Sequence, residues 1–188
     1  MPILPAEPDI FPENLLEQDQ PEADSEIRWW ALYTLPRREK ELMRRLRGVS
    51  IPHYCPLVKK RTKSPAGRVR TSYVPLFSAY VFFLGDEEHR YQALQTNCIS
   101  RCMVVVDADR LVADLKNIKR LIDADAPLTP ESRIEPGVRV RIRSGALAGL
   151  EGTVVKRRGV ERLLVAVEFL QQGASVQLED FQVEPIDL

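Results

Sequence analysis

Residues 75–84, PLFSAYVFFL, are the most apolar run of the chain. A strand on a small domain alternates apolar and polar positions, one face to the core and one to water. From Ala79 to Leu84 nothing alternates, so the second face of this strand needs cover as well as the first.

Upstream, HYCPLVKKRTKSPAGRVRTSYVPLF (53–77) reads as a hairpin, two β-rich arms around the turn at Ser64–Gly67, both basic near the tip. Further upstream, RWWALYT (28–34) sends Trp29, Ala31 and Tyr33 one way and Trp30, Leu32 and Thr34 the other, as a strand does. Pro36 opens a helix that Gly48 ends, with Leu42, Met43 and Leu46 as its apolar stripe. Arg37 and Arg38 are expected in its first turn, where the macrodipole disfavours cations.

Downstream, a helix is expected from Asp86 to about Thr96, then a buried strand in SRCMVVVD (100–107). An amphipathic helix follows in RLVADLKNIKRLIDA (110–124), with Leu111, Leu115, Ile118 and Ile122 on one stripe. The order β-α-β-β-β-α-β-α makes residues 28–125 an α+β domain with an antiparallel sheet and flanking helices. Three prolines without an apolar period in DAPLTPESRIEP (125–136) place a linker at 126–134. Residues 135–188 hold short strands at turn-punctuated intervals, the pattern of a small β-barrel.

The net charge of zero hides a division. Residues 1–27 carry eight acidic side chains and no Lys or Arg, residues 28–70 have a net charge of +11, and the remainder −3. The first block, rich in Pro, Glu, Asp and Gln, reads as a disordered acidic tail. It has no basic segment followed by an apolar one, so no signal peptide is expected, and no apolar run approaches the length of a bilayer span. Three cysteines are too few for a disulfide framework. A cytoplasmic protein with no membrane partner is the expectation.

RWWALYTLPRREKELMRRL and VPLFSAYVFF resemble the opening strand and helix, and the FFPGYVLV or PLFPNYLFV segment, of the N-terminal (NGN) domain of NusG-family transcription elongation factors. EPGVRVRIRSGALAGLEGTVVKRRG is similar to the KOW motif, GdxVrVxxGpfaGfeGxV. The resemblance spans about residues 28–187. It implies an NGN domain followed by a small SH3-like KOW β-barrel, and a non-enzymatic, monomeric factor that needs no cofactor. Its implied role is suppression of pausing or termination, including transcription antitermination. The family's Pro-Gly before the tyrosine is Ser78–Ala79 here, which implies that the special backbone glycine permits is not required. Leu147 and Leu150 replace aromatics of the KOW motif. These departures fit a specialised RfaH-like paralogue better than the housekeeping factor.

The resemblance also assigns sites. Trp29, Tyr33, Phe77, Tyr80 and Phe82 match an apolar pocket that seats the clamp helices of the RNA polymerase β′ subunit, with the β subunit as a further contact. Aromatic anchors suit such a hot spot; the competing reading is that the rings are core. Arg37, Arg38, Arg44, Lys59, Lys60, Arg61, Lys63, Arg68 and Arg70 match the side facing upstream or non-template DNA, where phosphate contacts give salt-dependent attraction. A solvated basic face is the alternative. Leu147, Phe169 and Leu170 match the KOW segment that contacts Rho or a small-subunit ribosomal protein, with barrel core as the alternative for Phe169. Arg139, Arg141 and Arg143 alternate with apolar residues and give the barrel a basic face.

No metal centre is expected, since Cys98 and Cys102 lack the short spacing of zinc ligands and suit a core. Asp107 and Asp109 have no nucleophile or phosphate loop nearby, so no catalytic residue is assigned. A second reading of the whole chain is a KOW-type RNA- or ribosome-binding protein that never touches polymerase.

Overall fold

The computed structural model describes residues 7–22, 25–65, 67–133, 137–178 and 182–186, and the chain divides into two units, 1–108 and 109–188. The first contains Ile10–Phe11 (β1), Arg28–Thr34 (β2), Glu39–Gly48 (α1), His53–Tyr54 (β3), Leu57–Lys63 (β4), Val69–Pro75 (β5), Tyr80–Gly85 (β6), Glu87–Leu94 (α2) and Ile99–Val104 (β7). Its main sheet runs β1-β3-β6-β2-β7, with every pair antiparallel, and β4–β5 stand as a separate two-stranded ribbon.

Strand alternation sorts the main sheet into two faces. Trp30 and Leu32 of β2 and Val81 and Phe83 of β6 join Leu42, Met43 and Leu46 of α1, Ala93 of α2 and Cys98 in one core. Trp30 stacks on Phe83 with centroids 6.0 Å apart, its Nε1 donates to the Gly85 carbonyl at 2.9 Å, and the Arg90 guanidinium lies over its ring. The opposite face carries Trp29, Ala31 and Tyr33, each in register with Leu84, Phe82 and Tyr80 of β6. Burial of each large apolar side chain stabilises by about 1.5–3 kcal/mol. Both faces of the central strands draw on this term.

Four sequence expectations about this unit need correction. α1 begins at Glu39, so Arg37 and Arg38 precede it: Arg37 has a left-handed φ of 63° and Arg38 is the N-cap. Arg38 and Arg45 both pair with Glu41, which removes the dipole penalty expected of cations in the first turn. β7 is an edge strand, half exposed rather than buried. Ala79 adopts φ 69°, so the left-handed backbone that the sequence reading takes as not required is present here without glycine. Finally, the stretch read as a disordered tail is ordered where it is described. Ile10 and Phe11 pair with Tyr54 and His53, and Leu15 and Leu16 are buried. Four large apolar residues provide the burial that the acidic composition obscured. Residues 1–6 and 23–24 of that expectation lie outside the described residues.

The second unit contains Ala108–Asp123 (α3) from its second residue on, Thr129–Glu131 (β8), Val138–Ile142 (β9), Glu151–Arg157 (β10), Val160–Val167 (β11), a short 3-10 turn at Glu168–Leu170, Gln172–Gln177 (β12) and Val183–Pro185 (β13). Its antiparallel sheet runs β13-β9-β10-β11-β12-β8, a β-rich region consistent with a KOW barrel. Gly152 of the GALAGLEG segment has a steric reason: a Cβ there would lie 2.6 Å from the Leu164 carbonyl oxygen. The division into compact units falls at 108/109, at the start of α3. Hydrogen bonds from α3 to later segments account for this, since the Glu168 amide donates to Asp114 Oδ2 at 2.9 Å and Arg120 donates to the Ala148 carbonyl. Burial raises the Asp114 carboxyl above its ordinary range.

The linker expected at 126–134 contains β8, which pairs with Gly173–Ser175 of β12. Glu131 accepts from Ser175 Oγ and Arg157, and Thr129 accepts from Arg162. Pro130 is tolerated because β8 is an edge strand. Residue 134 lies outside the described residues.

Candidate functional site

Two side chains of the aromatic set reach the surface together. Tyr33 is 41 % exposed, and its in-register partner Tyr80 is half-buried. Their rings meet edge to face, with centroids 5.1 Å apart and planes at 71°, a geometry worth about 0.5–1.5 kcal/mol beyond area burial. The turn before Tyr80 is clasped from both sides. The Ala79 amide donates to Glu39 Oε1 at 2.8 Å, and the Ala79 carbonyl accepts from Thr34 N at 2.8 Å. Glu39, a buried acid at the start of α1, thereby fixes where β6 begins. Nothing in the sequence marked it.

The other three aromatics are corrections. Trp29, Phe77 and Phe82 are buried in the free protein and offer no surface to a docking partner. Trp29 Nε1 donates to Gln20 Oε1 at 2.8 Å, so the N-terminal segment reaches this face of the sheet. His53, in register with Phe11 and Phe83, is buried with Nδ1 donating to the Ile51 carbonyl at 2.8 Å, and its Nε2 meets no hydrogen-bond partner among the described residues. Burial lowers its pKa to about 4.

The basic set divides in two. On α1, Arg38 and Arg45 are paired with Glu41, and Arg44 with Glu7. On the β4–β5 ribbon, Lys60, Arg61, Lys63, Arg68 and Arg70 are exposed and make no ion pair among the described residues. Lys59 is exposed beside them. Register places Lys59 opposite Tyr73, Lys60 opposite Ser72, Arg61 opposite Thr71, Arg70 opposite Thr62 and Lys63 opposite Val69. Each cation thus faces a neutral residue, avoiding the direct like-charge pairs that destabilise a ladder. The tip closes through Ser64 N to the Arg68 carbonyl at 2.8 Å, with Gly67 at φ 77°. At the base, Leu57 is buried and Tyr73 packs against the main core, which roots a ribbon that would be marginal alone.

In the second unit Phe169 is 37 % exposed, whereas Leu147 and Leu170 are buried. This corrects both leucines as contact residues and reverses the core reading of Phe169. Hydrogen bonds from Gly149 N to the Ile142 carbonyl and from Leu150 N to the Leu147 carbonyl fold the loop back on itself. The expected basic face is mixed, because Glu151 pairs with Arg139 and Arg141, and Glu184 with Arg143. Among the described residues no cluster of three or more His, Cys, Asp or Glu could hold a metal ion. No helix among them is long and apolar enough to cross a membrane.

The family model described as "NusG: Transcription termination factor nusG" matches residues 27–127, more than half of the chain. The chain belongs to the NusG family. Residues 27–127 therefore constitute its NGN region, and the NusG relation assigns the chain to the transcription elongation factors, a non-enzymatic family, implying association with RNA polymerase. Among solved structures, the chain is similar to one titled "Crystal Structure of MjSpt4:Spt5 complex conformation B". The match has 13 % identity and a TM-score of 0.28, and it covers 85 % of this chain and 99 % of that one. Among curated proteins no sequence match was found.

Proposed function

We propose that this NusG-family factor docks on the clamp helices of the polymerase β′ subunit through the Tyr33–Tyr80 pair, and that it suppresses pausing or termination from there. The observation that carries the reading is the exposed edge-to-face tyrosine pair in the NGN sheet. Large, stiff amphipathic rings are what a hot spot uses, because they bury much area at little rotamer cost. Docking can favour the processive state only through a higher affinity for the closed clamp than for the open one.

Alongside, the β4–β5 ribbon is the nucleic-acid element, its exposed cations attracting phosphates of upstream or non-template DNA. Arg37, Arg38 and Arg44 belong to the same basic side. In the second unit, exposed Phe169 is the residue with which a KOW-type barrel would meet Rho or a ribosomal protein. The setting is the cytoplasm, at the transcribed nucleoid.

The test is a purified elongation assay with Tyr33→Ala combined with Tyr80→Ala. A folded double variant should lose polymerase binding and its effect on pausing. Unchanged binding and stimulation by a variant of normal thermal stability would sink the docking reading. Recovery of ribosomal RNA without polymerase in an affinity pull-down would favour the RNA-binding reading.

A further inference from the structure

We infer that the acidic N-terminal segment is an internal competitor for nucleic acid, seated on the arginines of α1. The inference rests on the nucleic-acid reading of the basic side and adds its regulation. Glu7 presents both carboxylate oxygens to one guanidinium, with Arg44 Nε to Oε2 at 2.9 Å and Nη2 to Oε1 at 2.8 Å. That fork is the geometry in which arginine takes a phosphate. One residue on, Arg47 Nη2 donates to the Pro8 carbonyl at 2.5 Å. Two adjacent groups of the segment thus occupy two arginines one helical turn apart.

The segment is held by contacts that do not use this charge. The Asp9 carbonyl accepts from Cys55 N at 2.8 Å, and Ile10 and Phe11 pair with β3. Leu15 and Leu16 are buried, and Gln20 accepts from Trp29 Nε1. Trp29 points away from α1, since its neighbour Trp30 lies in the α1 core. Between Ile10 at the β1 edge and Gln20 beside β2, the chain therefore crosses the sheet face that α1 does not cover. This apolar anchor keeps Glu7 beside Arg44 at a high effective concentration. Releasing the arginines needs only Glu7 and Pro8 to swing aside.

The charge layout gives an order of events. Five ribbon cations make no ion pair among the described residues, whereas Arg44 and Arg47 are already occupied. Nucleic acid engages the ribbon first, and its phosphates then displace Glu7. A chain without enough local phosphate stays at the first stage, so the segment raises the threshold for full engagement.

The test uses the full chain and a fluorescent single-stranded DNA oligonucleotide at low and physiological salt. An exposed charge pair of this kind corresponds to about a two- to fivefold change in affinity. Glu7→Gln should therefore tighten binding by about that factor, and the gain should vanish in the Arg44→Met background. Amide exchange at Cys55 should stay as in the wild type, showing the anchor intact. A gain of equal size in the Arg44→Met background would reduce the effect to net charge and overturn the proposal. So would faster exchange at Cys55, which would make Glu7 a structural staple. If Glu7→Gln changes nothing while Lys60→Gln with Arg61→Gln weakens binding, the competitor is wrong and the nucleic-acid reading stands. If that ribbon pair also leaves binding unchanged, the nucleic-acid reading has failed and the competitor falls with it.

Discussion

Glu39 and Ala79 are joined carboxylate to amide at 2.8 Å, tying the first residue of α1 to the left-handed turn that launches β6. The contact sets the position of Tyr80, the next residue, and therefore the geometry of the exposed tyrosine pair. Replacing Glu39 by Ala leaves the turn amide without its charged acceptor. A hydrogen bond to a charged group is worth about 1.5–3 kcal/mol, and Glu39→Ala should lower stability by that amount in a denaturant titration. Its m-value should not change.

Ala79 holds a conformation that costs an L-residue about 1–2 kcal/mol. Ala79→Gly should recover roughly 1 kcal/mol of this, less the entropy glycine adds to the unfolded chain. A raised urea midpoint with unchanged polymerase binding is the expected result. Destabilisation would mean that the methyl group packs more usefully than its backbone strain costs.

Phe77 and Tyr33 should behave differently although the sequence reading places both in one aromatic set. Phe77→Ala empties a buried site and should cost about 3–5 kcal/mol. Tyr33→Ala removes an exposed ring and one edge-to-face contact, a loss of about 1 kcal/mol. Thermal melts of the two variants, set beside their polymerase affinities, separate folding from docking.

His53 makes stability depend on pH. Its folded pKa of about 4 lies below the unfolded value near 6.5, so the unfolded chain binds more protons in that window. Stability is fully present above about pH 6.5 and falls as the pH drops towards 4, by up to about 3 kcal/mol in total. His53→Phe should flatten this part of the profile, read as denaturant midpoints across the window.

Salt dependence should track the ribbon. Lys60→Gln with Arg61→Gln should weaken DNA binding and flatten the plot of log affinity against log salt. On a single strand the slope should fall by about 0.7 for each phosphate that is no longer neutralised. An unchanged slope would confine these residues to solubility.

Much of this was legible from residues 28–96, where period and punctuation agree. The strand at Trp29–Tyr33, the stripe Leu42–Leu46, the hairpin around Gly67 and the helix capped by Asp86 all follow from local pattern. Parity also separated Trp30 and Leu32 from Trp29, Ala31 and Tyr33 correctly. What parity could not reveal was cover. Phe82 and Trp29 are buried while Tyr33 and Tyr80 on the same face reach water, a difference made by distant segments. Composition misled twice, at Ile10–Leu16 and at Thr129–Glu131. In each, a few residues pair or bury inside a stretch whose average is polar. The conformation of Ala79 was hidden because its side chain argues against it.

The ribbon's register has a wider consequence. Since no cation sits directly opposite another, the closest like-charge contacts of a ladder are absent, and its shape depends little on ions to quiet internal repulsion. Ionic strength then acts chiefly on the grip, and far less on reach and direction. The cell's own salt becomes a dial on how firmly the arm holds, turned without bending the arm.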